Sequence, residues 1–169
     1  MIAFAHSLPA LHEGNQNGYV LGLQAALIQQ GHHELDGTGY FGSVTKAAVQ
    51  AWQRKNGINP SGLVGVQTWS SLIINDRYVP GKLPAPQLAP GGRWTERTGY
   101  VEEGILRLTQ VFPSWAPAVG IRNGSYQASE VRVVQRFQQR SGINPSGIIG
   151  RQTTNAIKVV SALTGGFAC

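Results

Sequence analysis

The sequence predicts an all-α protein of two tandem three-helix bundle repeats joined by a Pro-rich linker. Three observations carry this reading. The segment Trp52-Gln53-Arg54-Lys55-Asn56-Gly57-Ile58-Asn59-Pro60-Ser61-Gly62 returns as Phe137-Gln138-Gln139-Arg140-Ser141-Gly142-Ile143-Asn144-Pro145-Ser146-Gly147, 85 positions later, and twelve of the twenty positions 49–68 are identical at that offset. Apolar residues in both copies recur at helical spacing. Between the copies, Pro80, Pro84, Pro86 and Pro90 exclude a helix interior and favour an extended, semi-rigid connector. The expected organisation is an N-terminal segment 1–18, a first repeat 19–78, a linker 79–98, a second, divergent repeat 99–163 and a tail 164–169.

Each element has its own signal. Val20, Leu23, Leu27 and Ile28 predict the first helix, with Gly31 at a plausible C-cap. The second is predicted over 43–56, with Val44, Ala48, Val49 and Trp52 on its inner face and Gly57 just beyond. Asn59-Pro60-Ser61-Gly62 fits a type I turn, with Asn first, Pro second and Gly fourth. A third helix follows Gly65, with Trp69, Leu72 and Ile73 inward. The second copy repeats the scheme through Ile105, Leu108 and Phe112, then Val133, Val134 and Phe137, then Ile157 and Val160. Weaker similarity continues without a gap, pairing Leu23 with Leu108, Phe41 with Tyr126 and Leu72 with Ile157. A lone linker tryptophan, Trp94, is expected to pack on a neighbouring unit. A unit of about 60 residues buries only about 60% of its unfolded surface, so mutual packing of the copies or a partner would support it.

Composition narrows the function. The single cysteine, Cys169, excludes an intramolecular disulfide framework, a CxxC redox site and a Cys-rich zinc site. Four His and eight acidic residues leave little material for acid–base or metal chemistry. Residues 1–85 hold five Lys/Arg against four Asp/Glu, whereas 86–169 hold nine against four, a net +5 that suits an anionic partner. Arg132, Arg136 and Arg140, spaced i, i+4, i+8, predict a basic stripe on the middle helix of the second copy, facing an anionic partner or simply solvent. No apolar run reaches the length needed to span a bilayer, so membrane insertion is not expected.

The first copy carries Val20-x-x-Leu23-Gln24-x-x-Leu27, then Thr38-Gly39-Tyr40-Phe41-Gly42-x-x-Thr45-x-x-Ala48-Val49-x-x-Trp52-Gln53, then Gly57-Ile58 and Gly62-x-Val64-Gly65-x-x-Thr68-Trp69-x-x-Leu72. This pattern resembles the bacterial peptidoglycan-binding domain, a small three-helix wall-targeting module found beside hydrolases and in phage lysins. Residues 99–163 resemble it more loosely: Gln127 stands at the loop glycine, Glu130 at the threonine and Thr154 at the tryptophan. The resemblance implies wall binding through Gly39, Tyr40, Phe41, Gly42 and Thr45 together with Gly62, Val64, Gly65, Thr68 and Trp69, carried mainly by the first copy. Physically, glycines bracketing an aromatic pair let backbone approach a ligand, and a helix start offers N–H donors to an acceptor. Phe41, Trp52 and Trp69 at these spacings also fit a core, and Gly62 and Gly65 also fit turns; Tyr40 is the better candidate for an exposed contact.

Rival constellations are weaker. Glu102 and Glu103 are adjacent and point apart on a helix, His32-His33 with Asp36 lacks zinc-ligand spacing, and no nucleophile–base set is visible. The Asn-Pro-Ser-Gly turn is longer than a DNA-binding helix-turn-helix wants, so nucleic acid is not an expected partner. The expectation is therefore non-catalytic attachment to peptidoglycan or another cell-wall polymer, with no cofactor, no metal and no catalytic residue. The alternative is a virion structural or adaptor protein that uses the same fold to dock on neighbouring virion proteins. The start of the chain lacks a basic n-region and meets Pro9 early, which reads as no secretory signal. A bacteriophage protein, made in the cytoplasm and acting in a virion or at the wall surface, is the expectation that follows.

Overall fold

The computed structural model describes residues 3–73, 87–95, 98–120 and 124–165. These form seven helices and, among the described residues, no strand: α1 (Ala3–Ser7), α2 (Gly18–Gln29), α3 (Ser43–Lys55), α4 (Val66–Leu72), α5 (Gly99–Val111), α6 (Ala128–Arg140) and α7 (Arg151–Leu163). The middle helices α3 and α6 begin and end 85 positions apart, and α4 and α7 begin 85 apart, as the repeat requires. Local chemistry sets the ends. Asn17 caps α2 by accepting from the N–H groups of Tyr19 and Val20 at 3.0 Å each. Helix α3 ends in a Schellman turn, with Gly57 in the left-handed region and the Ile58 N–H on the Gln53 carbonyl at 2.8 Å; Gly142 and Ile143 repeat it on Gln138.

Two details of the predicted elements differ. The Asn59–Gly62 turn does not close as a type I turn. Ser61 N–H bonds back to the Asn59 carbonyl at 2.8 Å, and the Gly62 N–H is taken by the buried Gln53 Oε1 at 3.0 Å. Gln53 Nε2 also donates to the Leu63 carbonyl and the Thr68 hydroxyl, and Gln138 makes the same three bonds to Gly147, Ile148 and Thr153. A buried glutamine thus stitches each turn to the helix before it. Val44 points to solvent rather than into the core, because it lies in the exposed first turn of α3.

Each unit starts before its first long helix. Leu11 and Val64 exchange backbone hydrogen bonds at 2.9 and 2.8 Å, and Leu88 and Ile149 do the same at 2.9 Å each. Gly14 and Asn15 bind the backbone of Phe41 as Gly91 and Gly92 bind that of Tyr126. These segments stand 77 positions apart, not 85, so a search at constant offset passes over them. Residues 87–95, inside the expected linker, therefore fold onto the second unit. There Leu88 is buried and Trp94 meets Tyr126 edge-on with centroids 5.4 Å apart. Pro80, Pro84 and Pro86 lie outside the described residues.

The two units share their cores. Helix α2 is buried on every side from Val20 to Leu27, the signature of a helix between two layers. Val20, Leu23 and Leu27 face Leu11, Phe41, Val49, Trp69 and Leu72 of the first unit; Leu21 and Ala25 join Ile105, Leu108, Val133, Phe137 and Ile157 of the second. Helix α7 reciprocates, sending Ala162 and Leu163 into the first core and Ile157 and Val160 into the second. Gly18 and Gly22 let the two helices touch: a Cβ on Gly22 would sit 2.9 Å from Leu163 Cδ1 and 3.0 Å from Val159 Cγ1.

Candidate functional site

The loop before α3 is built from one polar side chain in an otherwise apolar helix. Gln24 is buried, and its Nε2 donates to the Tyr40 carbonyl at 3.1 Å and to the hydroxyls of Thr45 and Thr38 at 3.0 and 3.2 Å. Its Oε1 accepts the Gly39 N–H at 2.9 Å. Gly39 has φ +74, and a Cβ there would collide with the Arg140 carbonyl oxygen at 1.9 Å, so both conformation and space demand glycine. The next residue, Tyr40, is thrown outward and is 48% exposed, while Phe41 turns fully into the core.

The structure divides the expected wall-binding residues into two groups. Phe41, Thr45, Val64, Thr68 and Trp69 are buried; the Trp69 indole N–H is fixed on the Pro9 carbonyl at 2.8 Å. Their side chains shape the loops and cannot touch a polymer from where they sit, because each fills the core or completes a glutamine network. Gly39 is also buried, against the second unit. Tyr40, Gly42 and Gly65 are accessible. Gly62, at φ +77, packs under the Lys46 stem, which reaches on to pair with Glu13 at 2.8 Å.

The exposed apolar surface gathers at the same two helix starts. Tyr40 and Val44 flank the start of α3, and Leu63 and Val66 flank that of α4, at 48, 53, 60 and 39% exposure. Segment 11–16 ties both starts together, pairing Leu11 with Val64 and Gln16 with Tyr40. Both helices begin at a glycine that provides no side-chain cap, so neither N-terminus is closed by a side chain. Val44, Leu63 and Val66 escaped the sequence reading because an isolated apolar residue beside a turn looks like core.

The second unit answers differently at each place. Ser125, Ser129 and Arg151 stand where Tyr40, Val44 and Val66 stand in the first; only Ile148 keeps the apolar character of Leu63. The start of α6 is closed from within, since Glu130 Oε2 accepts the Gln127 N–H at 2.8 Å. Burial pushes the Glu130 carboxyl above the usual carboxylate range, against the pull of that backbone bond and of the nearby Trp94 indole. A raised folded-state pKa means a contribution to stability that is complete below the ordinary carboxyl range and is lost as pH rises through the raised value. Glu130→Gln keeps an acceptor for Gln127 and removes the ionisation. Its melting temperature relative to wild type is expected to rise as pH climbs above the ordinary carboxyl range; a pH-independent difference in thermal melts would refute this.

The basic stripe does not present one uniform face. Arg132 and Arg136 are both exposed, but Arg136 also donates to the Trp115 carbonyl at 2.8 Å, and the half-buried Arg140 donates to the Gly37 carbonyl at 3.3 Å while lying over the Trp115 ring. The helix turns the last two toward the first unit, and partial burial lowers the Arg140 pKa. His32 pairs with Glu34 at 2.9 Å, and Asp36 bonds Ser114. Among the described residues no three His, Cys, Asp or Glu side chains group as metal ligands, and no helix is long and apolar enough to cross a membrane.

The family model described as "Putative peptidoglycan binding domain" matches residues 16–72 and 114–157, more than half of the chain. A Kitasatospora aureofaciens protein named "Uncharacterized protein in bpoA1 3'region" is 37% identical over 70 residues, covering 41% of this chain and 59% of that one. A Bacillus licheniformis protein named "Probable N-acetylmuramoyl-L-alanine amidase" is 27% identical over 159 residues, covering 85% of this chain and 43% of that one. The chain thus spans 59% and 43% of the length of these relatives. No solved structure gives a significant match. Two matched segments, each ending in a helix–turn–helix stitched by a buried glutamine, make the chain a tandem member of the peptidoglycan-binding domain family.

Proposed function

We propose that the protein attaches non-catalytically to the bacterial wall and that the first unit holds the polymer. The observation that carries this is the contrast between the two helix starts. In the first unit the start of α3 is uncapped and flanked by exposed Tyr40 and Val44, with Leu63 and Val66 beside α4. In the second, Glu130, buried like Thr45, closes the helix start by accepting the Gln127 N–H, and Ser125 and Ser129 replace the exposed apolar pair. N–H donors next to an aromatic ring suit a glycan–peptide polymer, whose amide carbonyls accept hydrogen bonds and whose sugar faces stack on rings. The acidic residues support a role without catalysis: Glu102 is buried and its neighbour Glu103 exposed, so the two do not form an acid–base pair. In a longer hydrolase, as the name of the Bacillus licheniformis relative suggests for that protein, the same fold would serve as the targeting part.

Retention of the full chain on purified sacculi tests the assignment. Tyr40→Ala, at an exposed position, is expected to fold normally and to lose at least about tenfold in affinity, the scale of a central aromatic contact. Full retention by Tyr40→Ala combined with Leu63→Ser would overturn it. The virion role belongs to the same proposal, with exposed Arg132 turned to an acidic neighbour in a phage particle. Absence of the protein from purified particles would restrict it to the wall.

A further inference from the structure

Where the units meet, loop 36–39 of the first lies against the C-terminal half of α6. Between them opens a cavity of about 500 Å³, lined by Gln16 and Thr38 from the first unit and by Trp115, Arg136, Gln139 and Arg140 from the second. Its two cations are held in place. Arg136 directs one N–H to the Trp115 carbonyl, and Arg140 one to the Gly37 carbonyl. The Arg140 guanidinium stacks over the Trp115 ring, 4.8 Å from its centroid, and the Trp115 indole is anchored on the Asp36 carbonyl at 3.1 Å. A guanidinium carries five N–H donors, so most of each fork is open to a further acceptor. The nearest carboxylate, Asp36, accepts the Ser114 hydroxyl at the edge of the cleft and its charge acts on Arg140, so Arg136 is the less compensated of the two cations. Two guanidiniums one helical turn apart repel each other, and an anion placed between them would relieve that repulsion.

We propose that this cleft is an oxyanion site that exists only because the two units are packed together. It takes a carboxylate or phosphodiester carried by a wall polymer, with Arg136 and Arg140 as the cations and Gln16, Thr38 and Gln139 as neutral partners. The wall as the source of the anion rests on the reading of the first unit; the site itself does not. A planar fork that offers paired donors suits both anions. Two sources share that chemistry: free carboxylates of peptide stems and phosphodiesters of anionic wall polymers.

The test uses the full chain labelled with ¹⁵N, following the Arg Nε–Hε signals of Arg136 and Arg140, assigned through Arg136→Lys and Arg140→Lys. A muramyl peptide with free carboxylates and a glycerol-phosphate oligomer are titrated separately. Saturable shifts of both signals with the first probe alone assign the stem carboxylate, and with the second alone the phosphodiester. Gln139→Glu, at an exposed position, sets a carboxylate beside the cations and is expected to weaken binding at least tenfold with an unchanged melting temperature. Arg136→Gln, also exposed, is a second variant expected to do the same. Added salt is expected to weaken binding as well. The proposal fails if neither probe moves either signal at millimolar concentration, or if both variants bind as wild type does. Tyr40→Ala is expected to weaken sacculus retention and leave the titration intact, so failure of the wall-binding face and failure of the cleft are read separately.

Discussion

Replacing Gly22 by leucine is expected to lower the unfolding free energy by about 3 kcal/mol and to separate one unfolding transition into two. Overpacking a filled core costs about 1–3 kcal/mol, more where the backbone must move. Here the added atoms meet Leu163 and Val159 across the seam between α2 and α7. That seam carries Leu21 and Ala25 into one core and Ala162 and Leu163 into the other. Pushing the helices apart therefore loosens both cores together. Gly22→Ala is the instructive control. Its Cβ meets the flexible end of Leu163 but also the stiffer Val159 Cγ1 at 3.0 Å, against which alanine gains about 1 kcal/mol of helix propensity over glycine, so its loss of stability is expected to be well below that of leucine. Gly104→Ala is expected to be worse. There the Cβ would lie 2.2 Å from Ile157 Cγ2, a β-branched side chain stiff at χ1 within a helix. Urea unfolding followed by both fluorescence and circular dichroism checks all three. A Gly22→Leu variant with wild-type stability and a single transition would show that the units are not joined through this seam.

Gln24→Leu is expected to cost about 2–4 kcal/mol and to abolish wall retention. The glutamine satisfies the Gly39 N–H, the Tyr40 carbonyl and the Thr45 hydroxyl from inside the protein. Leucine of similar size leaves the Gly39 N–H and the Thr45 hydroxyl unmet, while the Tyr40 carbonyl keeps the Gly42 N–H and the Thr38 hydroxyl; each buried polar group left without a partner costs about 1–3 kcal/mol. The loop that presents Tyr40 would lose the bonds that set its shape, although Tyr40 itself is unchanged. Loss of stability with full sacculus binding would show that the loop is held by other means and would free the binding assignment from Gln24.

Much of this was legible in the residues. The 85-residue repeat placed α3, α6 and the turns after them, and Gly57 and Gly142 marked two helix ends. What escaped has physical causes. The segments 11–16 and 88–93 pair by backbone hydrogen bonds, which leave little trace in side-chain identity. The second unit also holds eight more residues between that segment and its middle helix, which breaks the constant offset. Part of that extra chain carries Trp115, buried against Arg140. Helix α1 is five residues long, too short for a periodic signal. The apolar run of α2 announced a helix but not its two-sided burial, because a sequence shows which residues avoid water and not which neighbour shields them. For the same reason the motif marked these loops without showing that half of its residues are their interior supports. Gln24 and Gln53 stood in the motif without a role, and a polar residue at a core position of a helix was the signal that could have assigned one.

The sharing of α2 between two cores has a consequence during synthesis. Gln29 ends α2 and Arg151 begins α7, 122 positions later. At translation rates of about 5–20 residues per second, α2 waits on the order of ten seconds for the helix that covers its second face. Through that interval the nascent first unit shows Leu21 and Ala25 to the cell. A duplicated module is ordinarily expected to fold as each copy leaves the ribosome. Here the first copy finishes only when the second has been made, so a stalled or truncated product bears an open apolar stripe, the kind of surface that chaperones and proteases recognise.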